Sequence, residues 1–332
     1  MDQTRTEPPV LRTGVLGCSD IAWRRALPAL VADPAVELVA VASRDEAKAR
    51  RFAGHFGCEA VTGYRALVER ADVDALYVPV PAALHEPWVE TALRAGKHVL
   101  CEKPLTVDAV ATRRLVELAA ARGLVLLENF MFQFHAQHRA VRDLLDQGAI
   151  GELRSLSAVF TIPALHPDDI RYRPELGGGC LLDVGGYPIR TAQLFLGPEL
   201  RVAGAVAVRD PGSGVDVAGA ALLVSPEGVS AQLTYGMAHG YRSAYELAGS
   251  EGRIVLDRAY TPPADHRPVL RVETKGGTEE MVLPADDQWA NLVRAFAAAV
   301  RGERHLDRYT EATLRHAVLT GEIQRAAAAG PR

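Results

Sequence analysis

A chain of 332 residues with 48% hydrophobic and 23% charged side chains carries enough apolar material for more than one core, so two domains are expected. Its net charge of −4 lacks the basic excess of a general nucleic-acid binder. No uninterrupted apolar run approaches the roughly 20 residues that span a bilayer.

The start, MDQTRTEPPVLRT, is polar and acidic where a secretory signal would be apolar, which points to a cytoplasmic protein. Residues 1–10 read as a disordered lead-in. RTGVLG then reads as a strand and IAWRRALPALVA as a helix with apolar positions at helical spacing. VELVAVAS (36–43) is a buried-strand pattern, followed by a charged helix from Asp45 to Phe56. DALYVPV (74–80) and KHVLCEK (97–103) are further strands, with the helix HEPWVETALRAG between them. A helix after Thr106 or Asp108 ends at Gly123, and LVLLEN is one more strand. Strands that are apolar throughout and alternate with helices predict a parallel sheet covered on both faces.

Beyond about residue 128 the rhythm changes. Between 153 and 283, LRSLSAVFTI, LRVAGAVAVR, VDVAGAALLV, VSAQLTYGMA and GRIVLD read as strands, with one helix near Tyr187–Phe195. That pattern predicts a large, mostly antiparallel open sheet with one face toward solvent or a partner. Two helices, DDQWANLVRAFAAAVRG and YTEATLRHAVLTGEIQRAAAA, close the chain. The expected organisation is a Rossmann domain over 1–128 and an α+β domain for substrate binding and oligomerisation over 129–332. The four cysteines are widely spaced with no C-x-x-C pair, which points to reduced thiols, with neither a disulfide framework nor a bound metal.

Three stretches carry the chemistry. Gly17-Cys18-Ser19-Asp20-Ile21-Ala22 joins the first strand to the first helix, a variant of G-x-G-x-x-G/A with small residues at the second and third glycine positions. Such a turn lets a pyrophosphate approach the backbone at a helix N-terminus. The second strand ends in Ser43-Arg44 rather than a carboxylate. An arginine fork and a hydroxyl suit a 2′-phosphate, so NADP is expected over NAD. Lys48, Arg24 and Arg25 are further phosphate candidates. Glu102-Lys103-Pro104 closes a strand at the sheet edge where ligands lie, and the Lys103 ammonium could hydrogen-bond a carbonyl oxygen. In the run from Gly177 to Tyr187, Asp183 and Tyr187 are four apart and share one face of a helix. Asp183 could orient the phenol, and Tyr187 could protonate an alkoxide.

Together with Val78–His85, these stretches resemble the Gfo/Idh/MocA family of NAD(P)-dependent oxidoreductases. Tyrosine at 187, where many members have histidine, and the segment Glu128–His138 resemble the nucleotide-sugar 3-ketoreductases of deoxysugar (antibiotic) biosynthesis. The resemblance implies that Lys103 and Tyr187 act on a keto sugar, with Pro79, Pro81, Leu84, His85 and Glu102 flanking the nicotinamide. It implies Phe130, His135, His138, His166, Arg171 and Tyr187 as substrate contacts. The implied reaction is NADPH-dependent reduction at C3 of a dTDP-linked 3,4-diketo-2,6-dideoxyhexose by a homo-oligomer, dimer or tetramer. A sugar, inositol or dihydrodiol dehydrogenase using NADP+, and a non-catalytic dinucleotide sensor, are the alternatives.

Overall fold

Leu11–Leu16 (β1) is buried at every position except Arg12, and Val36–Ser43 (β2) is buried along its second half. Ala75–Val78 (β4) is buried throughout. Strands with no polar face need helices on both sides, and the fold supplies them. The computed structural model describes residues 10–330, so most of the expected lead-in lies outside the described residues. With Glu59–Thr62 (β3), His98–Glu102 (β5) and Leu126–Asn129 (β6), these strands form a parallel six-stranded sheet in the order β3-β2-β1-β4-β5-β6. The order reverses between β1 and β4, which makes the carboxyl end of that junction the ligand edge.

The covering helices are α1 (Leu27–Ala32), α2 (Glu46–Phe56), α3 (Tyr64–Val68), α4 (His85–Arg94) and α5 (Ala109–Ala121). Asp45 caps α2 by accepting from Lys48 N, and Asp108 caps α5 by accepting from Ala111 N. The first helix is not the single α-helix its periodicity predicts. A π-helical turn at Ala22–Ala26 precedes α1, next to Pro28, which cannot donate to the helical ladder. Neither β3 nor α3 was legible in the sequence. β3 is a four-residue edge strand with no buried position, and α3 is little more than one turn.

The second sheet contains β7 (Leu153–Thr161), β8 (Arg201–Arg209), β9 (Asp216–Val224), β10 (Ser230–Gly236), β11 (Arg242–Gly249), β12 (Gly252–Asp257), β13 (Val269–Thr274) and β14 (Gly277–Val282). Its order is β14-β13-β12-β11-β7-β10-β9-β8, antiparallel except for the β7–β10 pair. Three of these strands fall in the strand-rich stretch without an apolar run of their own; β14 is exposed at every position and rests on its ladder to β13. Helix α6 (Ala136–Asp146) was also unread.

Helix α7 (Gly186–Leu196) is buried nearly all round, as a helix enclosed on every side must be. It lies between the second sheet, at β7 and β10, and α9 (Asp307–Ala329). That last helix also meets α5 and β6, while α8 (Gln288–Val300) packs on α1. The chain's end therefore clamps α7 against the carboxyl edge of the parallel sheet. The opposite face of the second sheet leaves Val206, Val208 and Leu222 exposed. Among the described residues no helix is long and apolar enough to cross a membrane.

Candidate active site

Gly17 follows β1 with φ +127°, a conformation that favours glycine, and a Cβ there would lie 3.1 Å from Val80 Cγ1. Ser19 Oγ accepts from Ala22 N at 3.2 Å, and Ala22 is fully buried. The small residues at the second and third glycine positions thus cap the turn and let the helix pack. Cys18 is buried with its thiol toward Ala42 O, so its side chain faces the core. Asp20 is exposed and forms a surface pair with Arg24 one turn along the chain. At the end of β2, Ser43 is buried and its Oγ accepts from Asp45 N at 3.1 Å. Asp45 caps α2, and Arg44 and Lys48 stand exposed just beyond this strand. The residues present fit a phosphorylated dinucleotide.

Lys103 follows β5, and the Lys103–Pro104 peptide is cis. Its Nζ donates to Asp183 Oδ1 and to Asp183 O, each at 2.7 Å. An ammonium has three N–H bonds; two are held by one residue, and the third remains for a ligand oxygen. Arg171 Nε donates to the other carboxylate oxygen at 2.5 Å, and Arg171 Nη1 to Asp169 at 3.2 Å. Burial alone would raise the Asp183 carboxyl, but the Lys103 and Arg171 cations overcome it and hold the group well below the usual carboxylate range. Lys103 Nζ lies 5.6 Å from the centre of the Tyr187 ring.

Tyr187 sits in an aromatic box. Ring centres of Phe130, Phe132, Phe160 and Tyr260 lie 4.9–5.7 Å from its own. Among the described residues its hydroxyl has one hydrogen-bond partner, Met131 Sδ at 3.8 Å. Burial, then the Glu102 and Asp183 carboxylates, push the phenol well above its ordinary value. The expectation that Asp183 orients Tyr187 is corrected. The segment Leu181–Gly185 is a π-helical turn, so four residues no longer complete one turn, and Asp183 turns to Lys103 and Arg171 instead.

The glycine run that precedes this turn is explained by close approach. A Cβ on Gly178 would meet Arg171 O at 2.5 Å, and one on Gly179 would meet Asp216 Oδ1 at 2.3 Å. Asp216 in turn accepts from Leu181 N at 2.7 Å, fixing where the helical run begins.

Several candidates lie elsewhere. His85 is 1% exposed, with Nδ1 2.7 Å from Pro104 O and Nε2 2.7 Å from Val80 O. It ties the lysine loop to the β4 loop and does not present its ring to a nicotinamide. Pro79 is buried, whereas Pro81 and Leu84 line that loop partly exposed. Glu102 keeps one carboxylate oxygen free; the other accepts from Tyr77 Oη at 2.7 Å and Asn129 Nδ2 at 2.6 Å. Phe130 lies behind Tyr187, fully buried. His138 is buried against Tyr245 Oη at 2.9 Å, and burial lowers its pKa to about 3. His135 is buried near Asp286. As substrate contacts these three are corrected: their side chains have no surface for a ligand. His166 is exposed beside Asp168 on the loop leading to Arg171. Glu128 and Arg190, buried behind the site, were missed; a charged residue inside an apolar run was the available signal.

Residues 11–130 match the family described as the oxidoreductase family with an NAD-binding Rossmann fold, and residues 138–255 match its GFO/IDH/MocA C-terminal domain. The chain is 61% identical over 292 residues to a dTDP-3,4-didehydro-2,6-dideoxy-alpha-D-glucose 3-reductase of Streptomyces violaceoruber, covering 88% of this chain and 85% of that protein. To the enzyme of that name from Actinomadura kijaniata it is 54% identical over 314 residues, 95% of each. The crystal structure of KijD10, a 3-ketoreductase from Actinomadura kijaniata in complex with NADP and TDP-benzene, superimposes with a TM-score of 0.94. There the identity is 53%, over 96% of this chain and 98% of that one.

Proposed function

The chain belongs to the Gfo/Idh/MocA oxidoreductases, and from that footing we propose that it reduces the C3 carbonyl of a dTDP-linked 3,4-diketo-2,6-dideoxyhexose with NADPH. The relatives named for that reaction support the substrate. The observation that carries the chemistry is the Lys103 ammonium, fixed by two bonds to Asp183 with one N–H left over, beside the Tyr187 ring.

NADPH, when bound, supplies the hydride. The Gly17–Ile21 turn would hold its pyrophosphate, Ser43, Arg44 and Lys48 its 2′-phosphate, and Pro81, Leu84 and Glu102 its nicotinamide end. Lys103 donates its spare N–H to the ketone oxygen and stabilises the negative charge that grows there. Tyr187 then protonates that oxygen. A phenol pushed above its ordinary value stays protonated at working pH, and a secondary alkoxide is a much stronger base than any phenolate. Raising makes the phenol a weaker acid, so it is the greater basicity of the alkoxide that draws the proton across. The same pair of residues would serve a sugar dehydrogenase in the oxidative direction, and the relatives named as 3-reductases favour reduction. A dinucleotide sensor would need neither Lys103 nor Tyr187.

The same reading places the enzyme in the cytoplasm, consistent with four free cysteines, and assembles copies through the open face of the second sheet around Val206 and Val208. Its test is turnover of dTDP-3,4-didehydro-2,6-dideoxy-D-glucose with NADPH, the product examined by NMR. The expected product has a C3 hydroxyl and an intact C4 ketone, and dTDP alone competes with substrate. Failure of dTDP to bind, or equal rates on free sugars, would overturn the nucleotide-sugar assignment.

For the cofactor, Arg44→Ala should raise the NADPH dissociation constant about 10- to 100-fold, as loss of a charge-assisted fork to a phosphate implies. NADH binding should stay nearly unchanged. Equal weakening of both, by fluorescence titration, would show that Arg44 does not meet the 2′-phosphate.

A further inference from the structure

Behind the lysine loop lies a buried charge cluster that the chemistry above does not use. Glu128, on β6, accepts from Leu105 N at 2.8 Å through Oε1. Its Oε2 accepts from Arg190 Nη2 and from Thr313 Oγ1, the latter at 2.8 Å. Arg190 Nη2 also donates to Thr313 Oγ1 at 2.7 Å. The two charged side chains are 1% and 2% exposed. The Arg190 guanidinium stacks 4.7 Å over Phe130, whose ring meets Tyr187 edge to face. Two of the guanidinium nitrogens, Nε and Nη1, have no hydrogen-bond partner among the described residues.

As a source of stability this arrangement is poor. Desolvating two charges offsets most of their attraction, and an apolar pair of the same volume does as well. What the cluster does achieve is geometric. It joins the segment two residues beyond Lys103, the helix three residues beyond Tyr187, β6, and the closing helix α9. We propose that the Glu128–Arg190 ion pair, completed by Thr313, is a positioning device that sets the spacing between the Lys103 ammonium and the Tyr187 phenol. The inference rests on the assigned roles of those two groups.

The test combines Glu128→Gln with Arg190→Met, which removes both charges together, and uses Thr313→Val as a separate variant that leaves both in place. The double variant is expected to melt within about 5 °C of wild type and to bind NADPH and dTDP normally. Its kcat should fall about 10- to 100-fold with KM unchanged, the loss expected of a misplacement near 1 Å. Thr313→Val should lower kcat several-fold in the same pattern. Built on Lys103→Met, either change should cost little more in single turnover, because a device acting through Lys103 has nothing left to position.

Wild-type kcat in the folded variants, or losses that add in full on the Lys103→Met background, would overturn the proposal. If the double variant does not fold, kcat of Thr313→Val decides it. Tyr187→Phe is measured in the same series. Should it retain full turnover, the assigned chemistry fails. Should it be inactive while the charge-free pair is fully active, only the positioning role fails.

Discussion

Replacing Lys103 with methionine is expected to lower kcat by about 10²- to 10³-fold, the range for losing one fixed donor to a developing oxyanion. Methionine keeps the unbranched stem and removes only the charge and its N–H bonds. The Asp183 carboxylate does not become a solitary buried charge, because Arg171 still pairs with its other oxygen. The fold should therefore survive, and NADPH affinity should hold. Circular dichroism and a melting curve check the first point and fluorescence titration the second. A variant that binds NADPH, melts normally and turns over at wild-type rate would remove Lys103 from the chemistry.

Tyr187→Phe is the second large effect, a loss in kcat of about 10²- to 10³-fold, within the span for a positioned general acid. The substitution is unusually clean here. The four surrounding aromatic rings pack against the ring, which phenylalanine retains. The hydroxyl's hydrogen-bond partner among the described residues is a thioether, a weak acceptor that costs little to leave unpaired. Stability should stay close to wild type, and KM should change little. If protonation drives the reaction forward, its removal makes the chemical step limiting, so a deuterium isotope effect with NADPH deuterated at the transferred position should increase. Unchanged kcat would mean that a bound water or another acid delivers the proton.

Much of the first sheet was legible because its strands are apolar at consecutive positions and two of its helices, α2 and α5, begin at capping aspartates. Val36–Ser43 was read to the residue, and Asp45 and Asp108 cap the helices that follow them. Among the elements that escaped, α6 is an amphipathic helix of 11 residues whose spacing was passed over, whereas β3, α3 and β14 are short or exposed and carry no apolar period of their own. Their ladders and neighbours define them. The site divides in the same way. Lys103 and Tyr187 could be named because a lysine at a strand's carboxyl end and a tyrosine after a glycine run are local signals. His135 and His138 looked like ligand contacts because a sequence does not show which way a side chain faces. In the fold they point into the core behind α6.

The amino-acid sequence by itself determined a parallel nucleotide-binding sheet, an open second sheet, a glycine turn for pyrophosphate, and the identities of the ammonium and the phenol. All of these are written in periods of two to four residues or in short motifs. Only the tertiary structure decided that Asp183 serves Lys103 across 80 positions of chain, that His85 bridges two carbonyls, and that Glu128 meets Arg190. The first and last of these contacts depend on how the segment around α7, and α9, close over the carboxyl edge of the first sheet. Hydrophobic periodicity states which face of an element is buried, but the partner that buries it is chosen by the packing of the whole chain.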